Sequence, residues 1–282
     1  MVVSNADVIK ELPKERRDKM NIGLIGVGSI GTFLMEKLNR ENILSGYNIT
    51  AVFDERNKSN ERLEILSQKY GFYVHHELDD FLESDVDIVV ECANVEVVKK
   101  YARQIIKQKD LLLISVGALA DPVLYEDLQS TVERNHRKVY LPSGAIGGLD
   151  VLRAAHVLGG LDAVKLVTRK PAETLTAEAI KEETIVFDGP AKEAIKAYPK
   201  NANISIIISL SGIGIDKTSV QIIADPKVDK NIHQLEARGD FGKLELKLEN
   251  NPSPDNPKTS YLTAMSILSS LKSLDSVITI GS

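Results

Sequence analysis

The sequence predicts an α/β protein: a doubly wound parallel sheet followed by a second, α+β domain. Three observations carry this. Short apolar runs alternate with helical, charged segments from residue 21 to about 141. Those runs lack a period of two, as strands covered by helices on both faces must. After Pro142 the pattern changes to alternating strands typical of antiparallel pairing.

The elements follow in order. Asn21–Ile25 (NIGLI) reads as a buried strand, GVGSIG (26–31) as a tight turn, and 32–39 as a helix with Phe33, Leu34 and Leu38 on one side. Ile49–Phe53 is the second strand and ends at Asp54. Helix 59–70, strand 72–75 and helix 77–82 come next. Strand 87–91 (DIVVE), helix 96–107, strand 111–116 (LLLISV), helix 122–135 and strand 138–141 complete the alternation.

SGAIGG (143–148) reads as a junction. Beyond it lie helix 150–158, strand 163–169 broken at Pro171, strand 183–187, and a segment from Gly189 to Lys200 that starts as a helix. The apolar stretch 201–215 has no decided state. Strands 219–224 and 243–249, the Asn- and Pro-rich loop 250–260 and helix 261–271 close the chain. The expected organisation is an extension at 1–20, a dinucleotide-binding domain at 21–143 rejoined by 252–282, and an α+β substrate and oligomerisation domain at 144–251.

Bulk properties narrow the function. The chain has 282 residues, 43% hydrophobic and 27% charged, which suits folded domains with proper cores. A net charge of −5 gives no general attraction to nucleic acid or an anionic membrane, so neither is an expected partner. No apolar run nears the roughly 20 residues of a membrane span. The one cysteine, Cys92, permits neither an internal disulfide nor a thiolate zinc cage. No metal is expected. With a polar N-terminus that lacks a signal core, this points to a cytoplasmic protein.

The glycine run supplies the first chemistry. G-x-G-x-x-G is weak alone, but here a strand precedes it, a helix follows, and an acidic residue ends the next strand. Gly26 permits the turn, Gly28 lets backbone approach a pyrophosphate, and Gly31 lets helix and sheet pack closely. Ser29 and Ile30 complete the turn at the helix N-terminus, where free N–H groups favour anions. Asp54, 23 residues after Gly31, suits the ribose hydroxyls of NAD and repels the 2′-phosphate of NADP; Arg56 keeps NADP open. The domain is thus expected to be Rossmann-type. Cys92 reads as a small apolar filler near the cofactor crevice.

The second half carries a more specific signal. SVGAL (115–119), PSGAIGGLD (142–150), YPKNANIS (198–205), ADPKVDKNIH (224–233) and NPKTS (256–260), with the glycine run, resemble the L-aspartate dehydrogenase family. The resemblance runs from about residue 20 to the C-terminus. The departures are the N-terminal extension and Tyr198, where phenylalanine is more usual.

The resemblance implies an NAD(P)-dependent oxidoreductase that converts L-aspartate to iminoaspartate. The imine hydrolyses to oxaloacetate and ammonia or feeds pyridine nucleotide biosynthesis. It implies His233 as the catalytic residue with Asn231 beside it, Ala118 and Asn203 as cofactor contacts, and a homodimer or higher homo-oligomer. Histidine suits proton transfer near neutral pH, and His233 is expected in a polar loop after a strand.

Other candidates have blander roles. His75 and His76 read as surface or cofactor-rim residues, His136 as solvated and His156 as structural. Lys170, Lys200 and Lys258 are candidates for the substrate carboxylates. Asn256, Thr259 and Ser260 are expected to cap the last helix. Gly144, Gly147 and Gly148 fit either a hinge or a close approach to nicotinamide. Two rivals stand: another two-domain enzyme such as a homoserine dehydrogenase, and a non-catalytic NAD-binding sensor.

Overall fold

A computed structural model describes residues 19–55, 61–177, 179–199, 203–254, 256–278 and 280. Residues 1–18 of the expected extension, Arg56 and Lys200 lie outside the described residues, as does the side chain of Lys258.

The first half runs β1 (Met20–Ile25), α1 (Ser29–Met35, continued by a π-helical turn Glu36–Arg40), β2 (Tyr47–Phe53), α2 (Glu61–Tyr70), β3 (Tyr73–His75), α3 (Leu78–Glu83), β4 (Ile88–Glu91), α4 (Val95–Ile106), β5 (Asp110–Leu113), α5 (Pro122–Asn135) and β6 (Val139–Tyr140). Met20, expected in the extension, instead opens β1: it pairs with Tyr47 and is buried. The six strands form one parallel sheet in the order β3-β2-β1-β4-β5-β6. This is the Rossmann arrangement, whose strand order reverses between β1 and β4.

Local chemistry starts and stops these helices. Asn94 Oδ1 accepts from the amides of Glu96 and Val97, and Asp121 Oδ1 from those of Val123 and Leu124. Both are side-chain N-caps, and Pro122 adds its preset φ at the first turn of α5. That helix ends at His136, which adopts a left-handed φ of 51°. On α4 the buried Val98, Tyr101, Ala102, Ile105 and Ile106 form one stripe against the sheet.

The second half runs α6 (Leu149–Val157), β7 (Leu161–Pro171), β8 (Thr184–Pro190), α7 (Ala191–Ala197), α8 (Asn203–Ser211), β9 (Ser219–Asp225), β10 (Asn231–Gly239), β11 (Gly242–Asn250), β12 (Pro252–Ser253), β13 (Asn256–Ser260) and α9 (Tyr261–Ser273). Its five-stranded sheet has the order β11-β10-β7-β9-β8, with β7 and β9 parallel and the other pairs antiparallel. The apolar stretch whose state the sequence does not decide is helical in α8, where its buried Ile206, Ile207 and Ile208 bridge two cores. The expected loop before the last helix contains a two-stranded ladder, β12 with β13.

Among the described residues three cores divide the molecule. One lies between the first sheet and α3, α4 and α5. A second lies on the sheet's other face under α1 and α2, and includes Ile267 and Leu271 of α9. Burying two such side chains contributes about 1.5–3 kcal/mol each, enough to hold the last helix to the first sheet. Tyr47 OH donates to Asp275 Oδ2 at 2.7 Å and ties down the end of that segment. The third core joins the second sheet to α6, α7 and α8.

Candidate active site

The glycine turn is built as its residue types require. Gly26 has φ +102°, and a Cβ there would stand 2.7 Å from the amide nitrogen of Ala93. A Cβ on Gly31 would stand 2.1 Å from Gly26 O, so α1 packs against the turn only because both positions lack side chains. Around Gly28 no atom lies within 4 Å of a Cβ position. The turn thus leaves open space where a pyrophosphate would need backbone approach. The helix begins at Ser29 rather than at 32, with Gly28 as its N-cap residue, so Ser29, Ile30 and Gly31 form its first turn. The first helical bond runs from Thr32 N to Gly28 O at 2.9 Å, so the preceding amides have no i−4 carbonyl partner within the helix.

Asp54 follows β2 and is buried, 6% exposed. His76 Nδ1 lies 2.8 Å from Asp54 O, so one of the two rim histidines braces this corner. His75 packs edge-on against Phe81. His156, expected to be structural, is exposed on α6, and His136 forms the left-handed end of α5.

A cleft of about 250 Å³ opens between the two sheets. Ile30 and Cys92 line its first-domain side, Asn203 the start of α8, and Lys170, Asn231 and His233 its second-domain side. Gly144 also reaches it, with φ +67° and its N–H donating to Ser266 Oγ at 3.2 Å. Gly148 precedes α6 with φ +78°. Gly147 packs against Leu246, whose Cδ1 would stand 3.4 Å from a Cβ added there, and it does not line the cleft.

His233 does not sit in a loop. It is the third residue of β10, on the inward face with Asn231, Leu235 and Ala237. Sequence reasoning misses this face because its first two inward residues are polar, so the alternation looks apolar only from Leu235 onward. Counting a buried histidine as an interior residue reveals a period of two over 231–238. The ring is 1% exposed, and Nδ1 lies 3.1 Å from Thr168 Oγ1 on β7. Burial first, and the nearby Lys170 charge second, lower the imidazole pKa to about 3. Lys170 is itself lowered to about 8 by burial.

Asn231 Nδ2 donates to Ser260 Oγ at 3.2 Å. Ser260 is the N-cap residue of α9 by position, but its side chain makes no capping bond there. It is committed to the cleft instead. Asn256 Nδ2 donates to Thr259 Oγ1, so the three expected capping residues brace β13 and the cleft wall.

The SVGAL segment is not a strand extension. β5 stops at Leu113, and Val116–Ala120 form a 3-10 turn. Asn203 Oδ1 accepts from Gly117 N at 3.0 Å and pins that turn to α8. Ala118 itself is buried in the core; its N–H bonds Ser115 O and its carbonyl accepts from Asp121 N. Its neighbours Ser115 and Val116 reach the cleft.

One residue escapes sequence reasoning. Glu91 ends β4 and is 1% exposed. Its carboxylate accepts from Ala93 N at 2.8 Å, Ser115 N at 3.0 Å and Ser115 Oγ at 2.9 Å. It thereby fixes two cleft-lining loops, although burial pushes its pKa up. A signal exists in the sequence: an acid ending an otherwise apolar parallel strand needs local donors. Cys92 donates from Sγ to Gly26 O at 3.3 Å, and burial holds its thiol well above the usual range, which keeps it protonated and unreactive.

Tyr198, the aromatic departure, uses its extra hydroxyl. It donates to Val186 O at 3.1 Å while the ring packs edge-on against Phe187.

Comparisons with known proteins agree across both halves. Residues 150–274 match the family model described as aspartate dehydrogenase, C-terminal, and residues 26–142 the model described as homoserine dehydrogenase, NAD binding domain. An L-aspartate dehydrogenase of Methanosarcina barkeri is 38% identical over 93% of this chain and 99% of its own length. One from Methanocaldococcus jannaschii is 36% identical with the same coverage. A crystal structure of aspartate dehydrogenase from Thermotoga maritima superposes with a TM-score of 0.76 at 35% identity, covering 93% of this chain and 99% of that one.

Proposed function

The chain belongs to the L-aspartate dehydrogenase family, and from that premise we propose that it oxidises L-aspartate to iminoaspartate with NAD or NADP as hydride acceptor. The observation that carries this reading is the shared cleft: Ile30 of the glycine turn and His233 of the second domain line one cavity. The match of 26–142 to a homoserine dehydrogenase domain concerns the nucleotide-binding half, whereas the substrate half matches aspartate dehydrogenase. A shared chassis does not choose the substrate.

In this reading Gly26, Gly28, Ser29, Ile30 and Gly31 hold the pyrophosphate, and Asp54 the adenosine ribose. Asn203, with the turn carrying Ala118, supports the nicotinamide end. A nicotinamide cofactor held by these residues would supply the acceptor for the hydride that leaves the substrate Cα. His233 removes the proton that the substrate ammonium must lose before its C–N bond becomes an imine. Its Nδ1–H donating to Thr168 Oγ1 is the tautomer that leaves Nε2 as the base. A neutral imidazole is already the stable form in the buried site. Asn231, held by Ser260, orients the substrate beside it. Iminoaspartate then hydrolyses to oxaloacetate and ammonia or passes to pyridine nucleotide synthesis.

The division of labour gives 20–143 with 252–282 to the cofactor and 144–251 to the substrate and to self-association as a homodimer or larger homo-oligomer. Among the described residues no helix is long and apolar enough to cross a membrane. A cytoplasmic setting rests on the cysteine count, which suits a reducing compartment. The test of function is an initial-rate assay for reduced cofactor with L-aspartate and with homoserine, using NAD and NADP in turn. Turnover with L-aspartate is expected. Activity with homoserine alone, or cofactor binding without amino-acid oxidation, refutes the assignment.

A further inference from the structure

Lys170 is the single Lys or Arg among the described residues lining the cleft, and no Asp or Glu is among them. It stands two residues beyond Thr168 on β7, so both side chains leave the same face of the strand. Thr168 is the residue on which the His233 ring rests. The ammonium therefore enters the cleft on the imidazole's side. Around it, Asn231, Thr259 and Ser260 offer neutral amide and hydroxyl groups.

This charge distribution matches one part of the substrate. In aspartate the α-ammonium and α-carboxylate cancel, and the side-chain carboxylate carries the net charge. Neutral donors suffice for the zwitterionic end, whereas an extra carboxylate in a partly dry cleft needs a cation. We propose that Lys170 grips the side-chain carboxylate of the substrate and so selects an acidic amino acid over its amide. This rests on reading the cleft as an amino-acid dehydrogenase site.

The test compares Lys170→Met and Lys170→Arg with the wild type. Three quantities are measured: kcat and KM for L-aspartate and L-asparagine, the Kd of NAD, and calorimetric binding of succinate to the NADH-loaded protein. Succinate has two carboxylates and no amino group to oxidise. In Lys170→Met, kcat/KM for L-aspartate is expected to fall roughly 100-fold, mostly through KM, as a lost charge-assisted contact in a desolvated site implies. Any L-asparagine rate stays within about threefold, succinate binding is lost, and the Kd of NAD is kept; Lys170→Arg recovers part of both losses. An unchanged aspartate KM, or a parallel loss for both amino acids, overturns the proposal. A wild type that binds succinate through Lys170 yet oxidises no amino acid refutes the dehydrogenase reading instead. That outcome is distinguishable, because the succinate readout needs no turnover.

Discussion

His233 and Thr168 face each other as register partners on β10 and β7, and imidazole Nδ1 lies 3.1 Å from the threonine hydroxyl. The sheet itself therefore sets which ring nitrogen remains for the substrate. Replacing Thr168 by valine keeps the shape and removes the hydroxyl. The expected result is a fall in kcat of about 10-fold, a fraction of what general acid–base catalysis contributes because the ring stays in place, with little change in the Kd of NAD. Unaltered kcat would show that the hydroxyl does not orient the base.

His233→Ala should lower kcat by two orders or more while NAD binding, measured by fluorescence titration, stays near wild type. Turnover above a tenth of the wild-type value would exclude the ring as the proton acceptor.

The same histidine makes stability depend on pH. Its folded pKa, about 3, lies below the ordinary value of 6.5. Between those values the unfolded chain binds a proton that the folded chain refuses, so stability rises with pH there. Its contribution is complete above pH 6.5 and is lost as pH falls from 6.5 towards 3. His233→Gln should flatten the acid limb of a plot of Tm against pH. A limb as steep as that of the wild type would contradict the burial argument.

Gly26 and Gly28 separate folding from binding. Gly28→Ala places a methyl group in open space, so Tm should hold within a few degrees while the Kd of NAD rises by about 10-fold as the pyrophosphate approach is blocked. Gly26→Ala meets Ala93 at 2.7 Å with φ +102°, and should cost about 1–3 kcal/mol of stability. Equal loss of Tm in the two variants would refute this division.

Glu91→Gln presents an amide where all three neighbouring groups are donors. One of those donors loses its acceptor, so a loss of about 1–3 kcal/mol is expected in denaturant titrations, with a raised KM for cofactor. A neutral effect on both would show that the β4 and β5 loops are held by other contacts.

Much of the first domain is readable in sequence because parallel strands declare themselves locally. NIGLI, DIVVE and LLLISV are apolar runs of strand length, and the GVGSIG turn has residue types that few other conformations demand. The second domain is less readable. Residues 231–239 hide a strand behind two polar inward residues. Residues 203–211 are apolar all round because α8 touches two cores, and such a run has no periodicity to expose.

By itself the sequence determined the α/β class, the place of the glycine turn and the resemblance that names His233 and Asn231. Tertiary structure alone decided that these two lie on a buried strand face, that Ser260 serves the cleft rather than a helix cap, and that Lys170 shares the imidazole's field. The physical reason is range. Turn conformation and helix or strand period depend on neighbours a few residues apart. A pKa, a tautomer and a hydrogen-bond partner depend on burial and on groups 65 positions away in the chain, as Thr168 is from His233.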